Sequence, residues 1–579
     1  MYQTEIRDGM KIDFDVPILM DDGITLRADA FRPVDDGEYP VIMTMGPYAK
    51  GLHFEDGYGD AWHLMCDAYP DVPAGSTTQY VGWETVDPEK WVREGYVVVR
   101  VDSRGAGRSP GVIQVFSPRE MQDYYDCIEW AANQAWSSGK VGLCGISYFA
   151  VNQWFVASMQ PPHLAAIIPW EGMNDIYREL GYHGGILCNF TGEWYPRQVQ
   201  TIQNGLGSRA PKSRITGLSV SGDEDLTEEE LKANEENFAE EIVSRPLIDD
   251  WYRARQADVS KVTVPLLSAA NLGGDGLHLR GNLEAFLAAS STQKWLEFHG
   301  AEHWTHFYTD YGRELQLQFL NHFLKGEDNG WNRRPPVLLN VRQVDDTFVP
   351  RAEDAWPLSR TRWTPMWLDA SAMALAQSPS KDEATVSYET RGEGVTFRTT
   401  FDKDVEITGP MSARLRVSSQ TEDADIFVTL RLFDREEREV TFTGAVQLHM
   451  PLSHGWLRAS HRKLDAEKSE VWRPWHVHTE LEPLVPGELY DLDIEIWAMS
   501  IAIPAGYTLA LTVSGRDYDP PVEKDTTAPE LVQRMHGVGV FRHDGPDRQS
   551  AVFDTTVTLH TGGDADAHIL LPFIPSTDA

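Results

Sequence analysis

Residues 142–154 read GLCGISYFAVNQW. An apolar run ending in glycine, KVGLCG (140–145), leads into Ser147, and YFAVNQWFVASM (148–159) continues from it at helical spacing. A serine on a sharp strand-to-helix turn is the nucleophile elbow of an α/β hydrolase, whose pattern is G-x-S-x-G. Gly145 fills the first glycine position, but Phe149 stands where a second small residue is expected. The strand–turn–helix context speaks for a nucleophile, whereas the phenylalanine speaks for a serine that merely sits at a junction.

The flanking sequence favours the first reading. Upstream, VPILMDDGITLRADAFRP (16–33) places a DG turn between two apolar runs, a hairpin signal. YPVIMTMGPY (39–48) and the start of GYVVVRVDSRGAGRSPG (95–111) are short, continuously apolar runs, as in strands buried on both faces. SPREMQDYYDCIEWAANQAW (117–136) starts a helix, with Ser117 as N-cap, Pro118 in the first turn and Glu120 completing a capping box. Strands LAAIIPW (164–170), VTVPLLSAA (262–270) and KWLEFHG (294–300) follow, and helix RELQLQFLNHFLKG (313–326) closes the series. Alternating strands and helices predict a parallel, doubly wound sheet. Residues 172–255 break that rhythm, first aromatic and then acidic, and read as a helical insertion over the sheet. Beyond NRRPPVLLN (332–340) the period becomes two: in YDLDIEIW (490–497), Leu492, Ile494 and Ile496 alternate with Asp491, Asp493 and Glu495. That pattern predicts a β-sandwich, a jelly roll. The carboxylates then fall on a solvent face rather than in a metal cluster.

The expected organisation is therefore an α/β-hydrolase domain in two pieces (1–171 and 256–335), an inserted helical cap (172–255) and a C-terminal all-β jelly roll (336–579). A chain of 579 residues exceeds what one core supports. Its net charge of −37 opposes nucleic acid and anionic membranes as partners. No run of about 18 apolar residues suggests a membrane span. The four cysteines (Cys66, Cys127, Cys144, Cys188) form no C-x-x-C pair and read as free thiols in a reducing compartment. With no apolar leader at the start, a cytoplasmic enzyme is the expectation.

GISYFA (145–150) resembles the G-x-S-Y-x-[GA] elbow of the cocaine esterase-like (CocE/NonD) hydrolases, which include α-amino-acid ester hydrolases, glutaryl cephalosporin acylases and X-prolyl dipeptidyl peptidases. In that pattern the small residue is the third after the serine, here Ala150, and a large one is expected at Phe149. The resemblance extends through the hairpin, MGPY, DSRGAGRSPG, PPHLAAI, WTH and NHFLKG in the same order. It implies an α/β-hydrolase domain with an inserted cap and a C-terminal jelly roll. It also implies a Ser-His-Asp hydrolase that passes through an acyl-enzyme.

A serine hydroxyl needs a base, a group to orient that base, and donors for the oxyanion. For the base, GAEHWTHF (300–307) offers His303 and His306; the residues alone leave both open, and the family's W-x-H pattern selects His306. The family places its acid after the preceding strand, where this chain has AANLGGDGLHLRGN (269–282) instead of the family's aromatic segment. Asp275 is the carboxylate there, with Asn271 or a carboxylate elsewhere as the alternative. The oxyanion donors are the Tyr148 backbone N–H, by construction of the elbow, and the Tyr48 hydroxyl, by resemblance. Trp62, Trp83 and Trp170 are candidate walls of an acyl pocket, and Glu171 a candidate partner for a substrate ammonium. No metal or organic cofactor is implied. The expected partner is a small-molecule ester or amide, and a homo-oligomer is left open.

Overall fold

Two long-range pairings decide where the chemistry is placed. In the computed structural model, which describes residues 3–520 and 541–575, the strands are β1 (Gln3–Arg7), β2 (Met10–Leu19), β3 (Thr25–Pro33), β4 (Tyr39–Gly46), β5 (Val97–Asp102), β6 (Ser137–Ile146) and β7 (Leu164–Trp170). A small hairpin follows, β8 (Tyr182–His183) and β9 (Ile186–Leu187), then β10 (Leu266–Asn271), β11 (Lys294–His299) and β12 (Val337–Arg342). Hydrogen-bonded neighbours run β1, β2, β3, β5, β4, β6, β7, β10, β11, β12, antiparallel as far as β5 and parallel from there. From β4 the chain first adds β5 on one side, then returns to add β6 on the other. That reversal opens a crevice beyond the carboxyl ends of β4 and β6, the usual ligand position in such sheets. Tyr48 and Ser147 leave the sheet at those two ends.

Helices α1 (Phe54–Ala68) and α2 (Pro88–Arg93) occupy the connection from β4 to β5. α3 (Pro118–Ala132) starts at Ser117, whose side chain accepts from the Glu120 N–H. The Glu120 carboxylate takes the N–H of Phe116 rather than that of the cap residue, and also the Tyr148 hydroxyl, so this cap is tied to the elbow helix. α4 (Tyr148–Ser158) is apolar all round because it is buried all round, between β6, β7 and α3.

Residues 172–255 form short helical turns and the β8–β9 hairpin. The acidic stretch forms two short helices, Glu228–Ala233 and Phe238–Ser244. Asn234 ends the first, and the Asn237 side chain caps the second; asparagine favours such caps over helix interiors. The antiparallel strands between Arg362 and Ile574 enclose a second apolar core, in which Leu492, Ile494 and Ile496 are fully buried. On the opposite face Asp491 pairs with Arg416, and Glu495 reaches back to Arg280 of the first sheet's region. The cysteines are unpaired; Cys127, Cys144 and Cys188 are buried and Cys66 is partly exposed. No helix among the described residues is long and apolar enough to cross a membrane.

Candidate active site

Ser147 sits at φ 54° and ψ −116°, a conformation a non-glycine residue holds only at a cost of about 1–3 kcal/mol. The surroundings impose it. Its N–H donates to the Trp170 carbonyl (3.1 Å), and its carbonyl accepts from Ala150 and Val151 (2.8 Å each). The apparent misfit of Phe149 resolves into packing. A Cβ on Gly46 would lie 2.6 Å from Phe149 Cε1, and one on Gly145 would lie 2.6 Å from Phe149 Cβ. Glycines on β4 and β6 leave the room that the Phe149 side chain fills. Ala150 meets Gly172, where a Cβ would come within 3.1 Å.

Ser147 opens into a cavity of about 460 Å³ walled by Tyr48, Tyr58, Trp83, Trp194, Trp304 and Phe541, with Glu84, His278 and His303 among its polar groups. Glu84 is held beside the elbow: its carbonyl accepts from the Ile146 N–H (3.1 Å), and its own φ is 59°. Ser147 and Glu84 line the cavity together, close enough for the serine to help hold the Glu84 pKa down, while Glu84 Oε2 meets no hydrogen-bond partner among the described residues. From there a buried chain of acids and imidazoles runs back under the sheet ends. Glu84 Oε1 meets His303 Nε2 at 3.0 Å, and His303 Nδ1 meets Glu171 Oε2 at 2.7 Å. Glu171 Oε1 meets His299 Nε2 at 2.9 Å, and His299 Nδ1 meets Glu297 Oε2 at 2.8 Å. The Tyr311 hydroxyl donates to Glu297 at 2.8 Å.

The electrostatics follow from that order. Burial pushes Glu84 up to about 7, even though His303 and Ser147 pull it down. Burial alone would also raise Glu171, but two imidazoles outweigh it and bring the carboxyl to about 2. Burial works against charge on His303 as well, yet Glu171 and Glu84 lift it to about 10. His303 is therefore an imidazolium clamped between two carboxylates. His278 stacks on it at 5.0 Å, and burial followed by the neighbouring charge drops His278 to about 3.

This arrangement corrects the expected partners of the serine. His306 does not line the cavity; it lies in the short helix Thr305–Tyr308 with its ring against Tyr69, His299 and Tyr311. Its Nδ1 meets no partner among the described residues, and burial takes it down to about 4. Asp275 does not approach His306; its Oδ2 accepts from the His454 backbone N–H (3.2 Å) and meets His454 Nδ1 (3.3 Å). The physical cause is the turn after β11. Gly300 packs on Phe348, Ala301 adopts φ 65°, and the His303 N–H donates to the Ala445 carbonyl, which turns His303 and not His306 over the sheet end.

Glu171, considered at first for an ammonium, is consumed between two imidazoles. It is the first residue past β7, at φ 51°. Its signal was a carboxylate directly after a buried strand adjacent to the nucleophile strand. The Tyr48 oxygen accepts from Trp194 Nε1 (2.9 Å), which leaves the phenol proton free for the cavity. The Tyr148 N–H is in the first helical turn, where no intrahelical acceptor exists. Trp83 lines the cavity; Trp62 packs on His53 and Phe54, and Trp170 on His299 and Phe307, both in the core.

Comparison with known proteins agrees with this layout. The profile of the X-Pro dipeptidyl-peptidase (S15) family matches residues 22–308, and that of the X-Pro dipeptidyl-peptidase C-terminal non-catalytic domain matches residues 329–558. A crystal structure of a CocE/NonD family hydrolase from Staphylococcus aureus superposes with a TM-score of 0.81 at 32% identity, covering 98% of this chain and 94% of that one. The chain belongs to the CocE/NonD hydrolase family. Within it, the cocaine esterase of a Rhodococcus strain is 24% identical over 96% of this chain and 98% of its own. An α-amino acid ester hydrolase shares the fold, with a TM-score of 0.67 at 15% identity. The CocE/NonD fold accordingly comprises an N-terminal catalytic part and a C-terminal non-catalytic part, the latter mostly sheet.

Proposed function

We propose that this protein is a serine hydrolase that cleaves carboxylic esters by acyl transfer, with Ser147 as nucleophile. The observation that carries the reading is the Glu84 carboxyl, which lines the cavity beside Ser147 and meets an imidazolium whose far nitrogen Glu171 holds. The Ser147 proton passes to Glu84 as Oγ attacks the acyl carbon. The carbonyl π electrons move onto oxygen, where the Tyr148 N–H and the Tyr48 O–H receive them. The tetrahedral adduct collapses, the C–O bond to the alcohol breaks, and Glu84 returns its proton to the departing alkoxide. Water then repeats the cycle on the acyl-enzyme and releases the acid. His303 positions and stabilises the Glu84 carboxylate, so that a buried acid titrates near neutrality, where a general base is most effective. No metal or organic cofactor enters these steps.

Segment 172–255 acts as a cap, since Phe190, Glu193, Trp194 and Arg197 from it line the cavity; the C-terminal part is read as a jelly roll that adds Ala445, Val446 and Phe541. The mainly aromatic walls suit an apolar acyl or alcohol group. One feature speaks for a second substrate class: the Asp60 carboxylate also lines the cavity and would receive a free amino terminus, as a dipeptidyl peptidase requires. The test is fluorophosphonate labelling, together with a panel of simple esters, amino-acid esters and dipeptide anilides, on the wild type and Ser147→Ala. Labelling and ester turnover that both disappear in the variant support the proposal. Labelling that persists there overturns it, and turnover confined to the anilides transfers the assignment to peptide hydrolysis.

A further inference from the structure

Outside the cavity lining, three side chains that no step above uses converge. His183 ends β8, Cys188 directly follows β9, and His543 comes from the C-terminal part of the chain. Their ligand atoms all lie within 4.8 Å of one another, and all three residues are buried. Two glycines bring the hairpin there: a Cβ on Gly184 would strike the Trp456 carbonyl at 2.0 Å, and one on Gly185 would strike the His461 ring at 2.5 Å.

The hydrogen bonds around the cluster orient its rings. His543 Nδ1 meets Asp517 Oδ1 at 2.7 Å, and the His543 backbone N–H donates to Asp517 Oδ2 at 2.8 Å. Asp517 thus takes both the backbone N–H and the Nδ1 side of the His543 ring, which turns Nε2 toward the cluster. That nitrogen lies 2.8 Å from His183 Nδ1. The other ring nitrogen of His183, Nε2, meets no hydrogen-bond partner among the described residues. Cys188 Sγ completes the group within the same 4.8 Å.

We propose that His183 Nδ1, His543 Nε2 and Cys188 Sγ form a structural site for one zinc-type divalent ion, with Asp517 orienting His543 from behind. Two imidazoles and a thiolate are a zinc donor set; with Zn–N of about 2.0–2.1 Å, a tetrahedral ion would open the 2.8 Å between the two imidazole nitrogens by roughly half an ångström. A carboxylate on the second nitrogen of a ligating histidine is the usual outer partner. The ion joins the hairpin to the C-terminal part. It also fixes two cavity walls, since Phe190 and Phe541 each lie two residues from a ligand. The site stands on its own residues and does not depend on the catalytic assignment.

The test begins with the full-length protein purified without chelator, stripped with dipicolinate and then offered zinc or cobalt. Zinc uptake near one equivalent per chain is expected, and the cobalt form should show a near-ultraviolet thiolate-to-metal charge-transfer band. Cys188→Ser should lose the band, whereas Cys66→Ser, outside the cluster, should keep it. Asp517→Asn should weaken zinc by about 10–100-fold. This variant leaves the three ligands in place, so it reads the site even if Cys188→Ser fails to fold. The proposal is overturned if stripped wild type takes up no zinc at micromolar concentration, if Cys188→Ser retains the cobalt band, or if Asp517→Asn binds as tightly as wild type.

Discussion

Glu84→Gln is the most informative single change, because the amide keeps the size of the side chain and removes its ability to take a proton. In the wild type Glu84 lines the cavity beside Ser147, meets His303 and is pushed up to about 7. If its carboxylate receives the serine proton, kcat/KM falls as pH drops through about 7, where that carboxylate becomes protonated. The acid and imidazolium interact strongly, so this limb belongs to the pair rather than to one residue. Losing a general base costs about 10²–10⁴ in rate, equivalent to about 2.7–5.5 kcal/mol at 1.36 kcal/mol per decade. In the variant the remaining base is neutral His303. Wild-type His303 is lifted to about 10 by two carboxylates. With Glu171 alone its pKa drops but stays above the ordinary histidine value, so the residual activity should rise on the alkaline side of the wild-type limb. The assay is p-nitrophenyl ester hydrolysis from pH 5 to 10, with thermal unfolding as a control for structure. A variant with wild-type kcat/KM and an unmoved limb would show that Glu84 is a bystander and that the imidazole acts directly on the serine.

His303→Asn should lose about 10²–10⁴ in kcat, while His306→Asn stays near wild type; the reverse result in ester turnover restores the W-x-H assignment. Tyr48→Phe should lower kcat by about 10²–10³ with little change in melting temperature, as removal of one oxyanion donor does; an unchanged kcat removes Tyr48 from that role. Gly46→Ala drives a methyl to 2.6 Å from the Phe149 ring and should cost about 1–3 kcal/mol in denaturant unfolding. Combining it with Phe149→Leu should recover part of that loss, and a double variant no more stable than Gly46→Ala would refute the packing account of the elbow.

What could be read from the chain divides along the range of the forces involved. The buried runs 39–48, 95–102, 140–145 and 164–170 declare themselves because a strand covered on both faces must be apolar throughout. Ser147 and Tyr48 are legible for the same reason, being the residues at which such runs stop. His303 and His306 are three positions apart, and which of them faces the cavity depends on a left-handed Ala301 and a glycine packed on Phe348, neither of which periodicity records. Glu171 meets its two imidazoles only once β10 and β11 bring His299 and His303 alongside it, contacts that span 128 and 132 residues. Asp275 is drawn away by His454, 179 residues downstream. In the acidic stretch the two asparagines, Asn234 and Asn237, mark where one short helix ends and the next begins.

The bond from the Ser147 N–H to the Trp170 carbonyl has a mechanical consequence. Ser147 and Glu171 leave the ends of two adjoining strands, so the distance between them is fixed by the sheet and not by a loop. The connection after β10 acts instead as mortar between the two parts of the chain, through His454 and the backbone of residues 443–445.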